Sequence, residues 1–333
     1  MPALAALRDG ITRVNRAPAV LACVLLITLL TALPFSLFIR NALEAHLGNS
    51  MIGEQAATGL HVQWWSEFTA QAGPLGQTFQ PRIIGFAAVL DNLSALVDGD
   101  TRPAPILWLG AFYLLVWLFL SGGILDRYGR TRPTNSHEFF TACGVFFVRF
   151  LRLAPFMALA YYMLFAIVRP FLLDETFASF TRDVTAERTA FFMRLGLYAL
   201  FGALLLAINV IFDYAKVRAV VEDRRSMVGA TVAGARFVRR NAGAVAALYV
   251  LTGVLFIVLL FLYALVAPGA SSTGVGVWIG VIITQLFLVG RLWIRLVFFA
   301  SETALFQGRL AHAGYIAHAT AARREPPIVE NAV

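Results

Sequence analysis

Hydrophobic residues fall in six long stretches, and most polar and charged residues lie in the segments between them. Each stretch is close to the roughly 20 apolar residues with which an α-helix crosses a hydrocarbon core of about 30 Å. The pattern therefore predicts six transmembrane helices. Their approximate ranges are 17–39, 105–125, 153–173, 190–212, 242–267 and 274–296.

The charges inside these stretches lie near helix ends. Arg169 interrupts the third stretch, and Arg291 and Arg295 interrupt the sixth. A long side chain near a helix end can extend its charge to the lipid headgroups. The first stretch has 23 residues, which is longer than the usual core of a signal peptide, so it is predicted to be a retained anchor.

The composition of the 333-residue chain supports membrane embedding. Apolar residues make up 59 % of it, charged residues only 14 %, and the mean hydropathy is +0.74. Ordinary soluble domains carry roughly 25 % charged residues, and a soluble fold would leave much apolar surface in water. A soluble enzyme, a disordered chain and a fibrous protein are therefore excluded. We expect one all-α membrane domain over 1–333, a helical bundle whose six spans pair in three hairpins, with additional interfacial amphipathic helices.

Basic residues are distributed unequally between the two sides of the predicted bundle. The formal net charge is +8, and 20 of the 27 Lys and Arg residues fall on the side of the termini, against 7 on the other. The side with the excess is expected to be cytoplasmic. The prediction is a multi-pass protein of a bacterial inner (plasma) membrane with both termini in the cytoplasm. No nucleic-acid partner is expected, because the basic residues lie between apolar stretches rather than on one clustered face.

A short signature precedes each odd-numbered span. Gly10, Gly144 and Gly234 are each followed four residues later by valine and then, within two more residues, by arginine. Around the second signature, residues 136–151 place phenylalanines at helical spacing. We expect the three signatures to lie on amphipathic helices along the cytoplasmic surface. The spans would then form three parallel repeats about an axis along the membrane normal.

The even-numbered spans end on an acidic residue with a basic residue after it. These acids are Asp126, Asp213 and, as the weakest instance, Glu302. An acid about one turn before a base predicts an ion pair on a continuing helix at the headgroup level. The alternative is a proton or ion relay on the cytoplasmic face.

The longest connection, residues 40–104, is predicted to lie outside the cytoplasm. Within it, residues 81–97 have the pattern of an amphipathic helix, begun by Pro81 and ended by the Asp98-Gly99-Asp100 sequence. The adjacent Trp64 and Trp65 are expected at the membrane interface, with stacking on a ligand as the alternative. Residues 301–333 are expected to form a cytoplasmic tail.

The sequence offers little catalytic chemistry. It contains no zinc-binding histidine motif, no phosphate-binding glycine loop and no nucleophile elbow, so we assign no catalytic, cofactor-binding or metal-binding residue and expect no cofactor. Polar residues within the spans, Asn209 and Gln285, are expected to form interhelical hydrogen bonds. Arg291 is expected to pair with Asp213 or Glu302, or to bind a lipid phosphate.

Two segments resemble a known type of membrane domain. The first is Gly122-Gly123-Ile124-Leu125-Asp126-Arg127 followed by Glu138-Phe139-Phe140, and the second is Val221-Glu222-Asp223-Arg224-Arg225-Ser226 followed by the Gly234 helix. They resemble a loosely defined set of bacterial polytopic inner-membrane proteins and the membrane domain that accompanies some glycerophosphodiester phosphodiesterases. The catalytic domain of that group has no counterpart here. The resemblance implies membrane embedding and nothing catalytic.

Three functions remain open. The first is a non-enzymatic accessory or scaffold unit that contacts anionic lipid headgroups at the cytoplasmic face, a partner protein or a second copy. The second is a transporter for a small solute or lipid, whose pathway would be lined by Asn209, Gln285 and Arg291. The third is a lipid-modifying enzyme, for which Asp126, Asp213 and His137 are the candidate parts.

Overall fold

The computed structural model describes residues 1–48, 52, 61–80, 86–98, 103–130, 133–267 and 274–310. Among these residues the regular structure is helical, with no β-strand. The helices are α1 (Ala3–Asn15), α2 (Pro18–Leu47), α3 (Val62–Gln71), α4 (Ala87–Asp98), α5 (Ala104–Gly129), α6 (Ser136–Thr181), α7 (Glu187–Val221), α8 (Met227–Arg240), α9 (Ala242–Val266) and α10 (Val275–Arg309). Within α6, the backbone is α-helical over Ser136–Met163 and then includes the π-helical stretches Leu164–Val168 and Phe171–Thr176.

Six of these helices are long and apolar enough to cross a membrane: α2, α5, α6, α7, α9 and α10. In the most apolar window of each, only 11–17 % of the residues are buried within the protein. Large apolar side chains are exposed along all six, including Leu30, Leu115, Leu159, Leu200, Val258 and Ile282. Such exposure is stable in hydrocarbon but not in water. The chain is therefore a multi-pass integral membrane protein, and the predicted six-helix, all-α class is confirmed.

The helices that carry the signatures differ in how they join the spans. The break between α1 and α2 falls at Ala17, which precedes Pro18, and a residue before proline disfavours the helical conformation. The break between α8 and α9 falls at Asn241, whose backbone leaves the helical region. At the corresponding point of α6, Phe150-Leu151-Arg152-Leu153 contains no proline, glycine or asparagine, and the helix continues into its span with Pro155 inside it. A separate second interfacial helix was expected and is not observed.

Contacts divide the chain into two compact units. Unit 1 comprises Met1–Arg13, Leu118–Val250 and Val297–Val333, and its core surrounds the end of α10. Every residue from Phe299 to Phe306 is buried. Residues 301–309, which the sequence analysis placed in a tail, are therefore the last turns of α10. The remaining tail residues from 311 onward lie outside the described residues.

Unit 2 comprises Val14–Trp117 and Leu251–Leu296. In it, the rings of Tyr263 on α9 and Phe287 on α10 stack 4.2 Å apart. The guanidinium of Arg295 lies 3.6 Å from the ring centre of Trp117, a cation–π contact. These aromatic contacts connect the apolar parts of α5, α9 and α10 within the unit.

The connection between α2 and α5 is also partly helical. The predicted helix over 81–97 is observed as Ala87–Asp98, and residues 81–85 lie outside the described ranges. Trp64 on α3 is buried against Phe68 and His46, with ring centres 5.6 and 6.3 Å away. Trp64 belongs to a local aromatic core, and its expected place at the membrane interface stays a prediction.

Candidate functional site

The end of α10 buries an acidic residue. Glu302 is 0 % exposed, although it lies within a helix that was expected to leave the bundle before this point. Its neighbours Ala300, Ser301, Thr303 and Ala304 are also buried, so no side of the helix faces water here. A buried charge is costly unless it is paired and hydrogen-bonded. The partners of Glu302 therefore decide what this site can do.

Glu302 belongs to a polar cluster formed by α7, α9 and α10. The Tyr249 hydroxyl lies 2.7 Å from Glu302 Oε1 and 3.1 Å from Asp213 Oδ2. The second oxygen of Asp213 lies 2.6 Å from Lys216 Nζ. We refer to Asp213, Lys216, Tyr249 and Glu302 as the carboxylate cluster. It holds two carboxyl groups, one phenol and one ammonium group.

Two polar atoms at the carboxylate cluster have no hydrogen-bond partner among the described residues. They are Glu302 Oε2 and the hydroxyl of Tyr214, and both are buried. Tyr214 is next to Asp213 in sequence, and its hydroxyl is close enough to interact electrostatically with Asp213 and Glu302. An unsatisfied polar group in a buried position costs about 1–3 kcal/mol. The cluster therefore has spare hydrogen-bonding capacity.

The three signature helices expose equivalent positions. The equivalent exposed positions are Leu4, Arg8, Thr12, Asn15 and Arg16 on α1 and directly after it; Phe140, Gly144, Val148, Leu151 and Arg152 on α6; and Val228, Val232, Arg236, Arg239 and Arg240 on α8. Helix α6 exposes Ser136, His137, Thr141 and Val145 in addition. The spacing is identical in all three. Each exposed set ends on an arginine, and we refer to Arg16, Arg152 and Arg240 as the arginine triad.

Aligning the three helices by their exposed positions shifts the second signature, on α6, by two residues relative to the alignment by glycine in the sequence. The residue that occupies the position of Gly10 and Gly234 is Phe146, not Gly144, which is exposed. Gly10 meets Ser301 of α10, and Gly234 meets Ala215 of α7, where a Cβ atom would lie 3.0 Å from the Ala215 nitrogen. Phe146 instead meets Gly122 of α5. Each of these close helix crossings needs one small residue. At the crossing of α6 with α5, that residue is Gly122 on α5 instead of a residue on the signature helix.

The acids that end the even spans do not occupy equivalent positions. Asp126 lies four residues after the crossing residue Gly122, whereas Asp213 lies two residues before Ala215 and Glu302 directly follows Ser301. Two of the predicted ion pairs do form. Asp126 pairs with Arg130 at 2.8 Å and Asp213 pairs with Lys216.

A separate polar contact attaches α1 to unit 1. Arg13 Nη1 donates to the backbone oxygen of Tyr128 at 2.6 Å and to Gln307 Oε1 at 2.9 Å. Gln307 Nε2 donates to the backbone oxygen of Gly129 at 2.8 Å. The last carbonyl groups of a helix lack partners within it. Arg13 and Gln307 thus cap the end of α5 from two other helices.

The other polar residues singled out in the sequence have separate local environments. Asn209 accepts from the Tyr161 hydroxyl at 2.6 Å and donates to the Leu205 carbonyl, as expected for an interhelical hydrogen bond. Gln285 and Arg291 are exposed on α10. His137 is exposed at the start of α6, and Asp126 pairs with Arg130.

The part of the chain covered by the structure contains no group of three or more His, Cys, Asp and Glu residues able to hold a metal ion. No family model, curated protein or solved structure matches this chain significantly. The carboxylate cluster and the arginine triad are therefore the two features from which a function can be inferred. Glu302 was expected at the headgroup level and is instead buried; the signal for burial was the apolar residues on both sides of it, Phe298-Phe299 and Leu305-Phe306.

Proposed function

We propose that the protein is a non-enzymatic accessory or scaffold unit of a bacterial inner membrane, held by anionic lipid at the cytoplasmic face, with both termini in the cytoplasm. The single observation that supports this proposal best is the arginine triad. Its members occupy equivalent exposed positions directly before three of the membrane spans.

That position suits a lipid phosphate. Arg16 and Arg240 precede the first residue of α2 and α9 by two positions, and Arg152 lies where α6 enters its apolar stretch. Arginine binds phosphate oxygens through parallel hydrogen bonds. Attraction to an anionic membrane surface contributes about 1 kcal/mol per basic residue. Three equivalent arginines would contribute about 3 kcal/mol, and salt would screen part of it.

The observed positions of the polar residues that would line a transport pathway favour an accessory unit over a transporter. Asn209 is satisfied by Tyr161 and Leu205. Gln285 and Arg291 are exposed on the surface of α10. A partner protein or a second copy is a further proposed contact of such a unit.

The test compares two triple variants in nanodiscs. The variant R16Q/R152Q/R240Q removes the arginine triad, and R8Q/R225Q/R236Q removes the same charge at exposed positions on the same side but farther from the spans. The readout is the rise in melting temperature when phosphatidylglycerol is added to phosphatidylcholine. We expect the first variant to lose most of that rise and the control to keep most of it. A wild-type protein that gains no stability from phosphatidylglycerol would refute the proposal.

A further inference from the structure

The hydrogen bonds of the carboxylate cluster do not balance if both carboxyl groups are ionised. The Tyr249 hydroxyl has one proton, yet its oxygen lies within hydrogen-bond distance of Glu302 Oε1 and of Asp213 Oδ2. One proton shared between two carboxylates can make only a weak three-centre contact. Two full hydrogen bonds form when one of the carboxyl groups supplies a proton to the phenol oxygen. The geometry therefore favours one more proton than two carboxylates and a phenol provide.

The surroundings indicate which carboxyl group holds it. Asp213 pairs with Lys216 at 2.6 Å, and its side chain is 17 % exposed. Glu302 is 0 % exposed, and within the described ranges its Oε2 has no partner. A buried carboxylate without a counter-ion is much more costly than a neutral carboxylic acid. Lys216 is already used by Asp213, so the neutral form belongs on Glu302.

We infer that Glu302 is a proton-binding group and that it exchanges its proton through Tyr249 and Asp213. In the loaded state, the Glu302 hydroxyl donates to Tyr249, Tyr249 donates to Asp213, and Lys216 donates to the other oxygen of Asp213. Glu302, Tyr249 and Lys216 then each donate one hydrogen bond to an acceptor, and the cluster is electrically neutral. The ligand of the site is a proton.

The groups that face Glu302 come from two helices. From α7 they are Asp213, Tyr214 and Lys216, and from α9 the group is Tyr249. Among the described residues, α1 contacts this part of α10 through Gly10, α5 through Gly129 and α8 through Phe237, and these three residues do not titrate.

The exchange is a displacement of two protons in one direction. A proton binds Asp213, the accessible end of the chain. Asp213 then passes a proton to the Tyr249 oxygen while Tyr249 passes its own proton to Glu302 Oε1. Two O–H bonds form and two break, and the phenol is neutral before and after. The reverse sequence releases the proton through Asp213.

Infrared spectroscopy of the purified protein in nanodiscs tests the inference directly. The wild type should show the carbonyl band of a protonated carboxyl group, which E302Q should lack and E187Q should keep. Glu187 is an exposed glutamate at the start of α7 and serves as the matched control. Y249F should slow the response of this band to transfer into D2O, because it removes the relay. Absence of the band in the wild type would overturn the inference.

Thermal unfolding provides a second readout. An unfolded glutamate releases its proton above a pH of about 4.3, whereas folded Glu302 keeps it. Stability should therefore fall as pH rises, by up to about tenfold in the folding equilibrium constant per pH unit. E302Q should remove this dependence, because glutamine reproduces the neutral donor. D213N should destabilise the protein, because it leaves Lys216 without its carboxylate.

Two results would contradict the inference that Glu302 binds a proton. If E302Q melts at a much lower temperature than the wild type at every pH, the ionised form is the native one. If sodium or lithium chloride stabilises the wild type at fixed pH more than choline chloride does, the ligand is a metal cation. The inference goes beyond the proposed lipid contact and does not depend on it, since the arginine triad contributes no residue to the carboxylate cluster.

Discussion

Gly234 and Gly144 look equivalent in the sequence, and the structure predicts opposite consequences for replacing them with alanine. A Cβ at Gly234 would lie 3.0 Å from the Ala215 nitrogen and 3.3 Å from both the Ala215 Cα and the Ile211 oxygen. All three are backbone atoms of α7, which cannot move aside as the end of a flexible side chain would. At Gly144, the new Cβ would meet no described atom within 4 Å.

The magnitude follows from two opposing contributions. Replacing glycine by alanine inside a helix stabilises it by roughly 1 kcal/mol, and this gain applies to both positions. Overpacking a close contact costs typically 1–3 kcal/mol, and this cost applies only to Gly234. The difference in free energy of unfolding between G144A and G234A should therefore be about 1–3 kcal/mol, with G144A the more stable.

The assay is reversible unfolding of the purified protein by a denaturing detergent, followed by circular dichroism at a helix band. G144A should unfold at a higher detergent fraction than the wild type, and G234A at a lower fraction than G144A. Leucine at the two positions should widen the difference, because the side chain is free at 144 and blocked at 234. Equal midpoints for G144A and G234A would refute the assigned crossing.

Two further predictions concern unit 1 and the topology. R13A should lower the free energy of unfolding by about 1.5–3 kcal/mol, which is the contribution of hydrogen bonds to a charged group. R8A, at an exposed position on the same helix, should change it by less than about 0.5 kcal/mol. If both variants lower the melting temperature equally, Arg13 does not cap α5. A reporter that is active only outside the cytoplasm should be active when fused near Gln71 and silent near Thr134 or Met227, and the opposite pattern would invert the proposed orientation.

The spans could be predicted because hydropathy is a local property. A run of 20 apolar residues crosses the bilayer whatever its neighbours are, so the sequence alone located α5 and α9 closely and the start of α2. The ends were less predictable. The stretch 274–296 was recognised as a span, but α10 continues to Arg309 because other helices cover it.

The register of the second signature could not be read from the sequence. Gly144 matches Gly10 and Gly234 in a one-dimensional comparison, yet the structure assigns their role to Phe146. A close crossing of two helices limits the combined size of the two side chains that face each other, one from each helix. Gly122 on α5 satisfies the constraint and leaves the facing position open to phenylalanine. A motif search on one helix cannot detect a requirement that its partner meets.

The burial of Glu302 follows from the way the end of α10 is surrounded. Successive residues of an α-helix point about 100° apart, and Ser301 faces Gly10 of α1. Thr303 faces Gly129 of α5, and the remaining side, occupied by Glu302, faces α7 and α9. Turning Glu302 toward water would require rotating α10, which the backbone contact at Gly10 forbids. A proton can reach Glu302 through hydrogen bonds without such a rotation, and Tyr249 provides them.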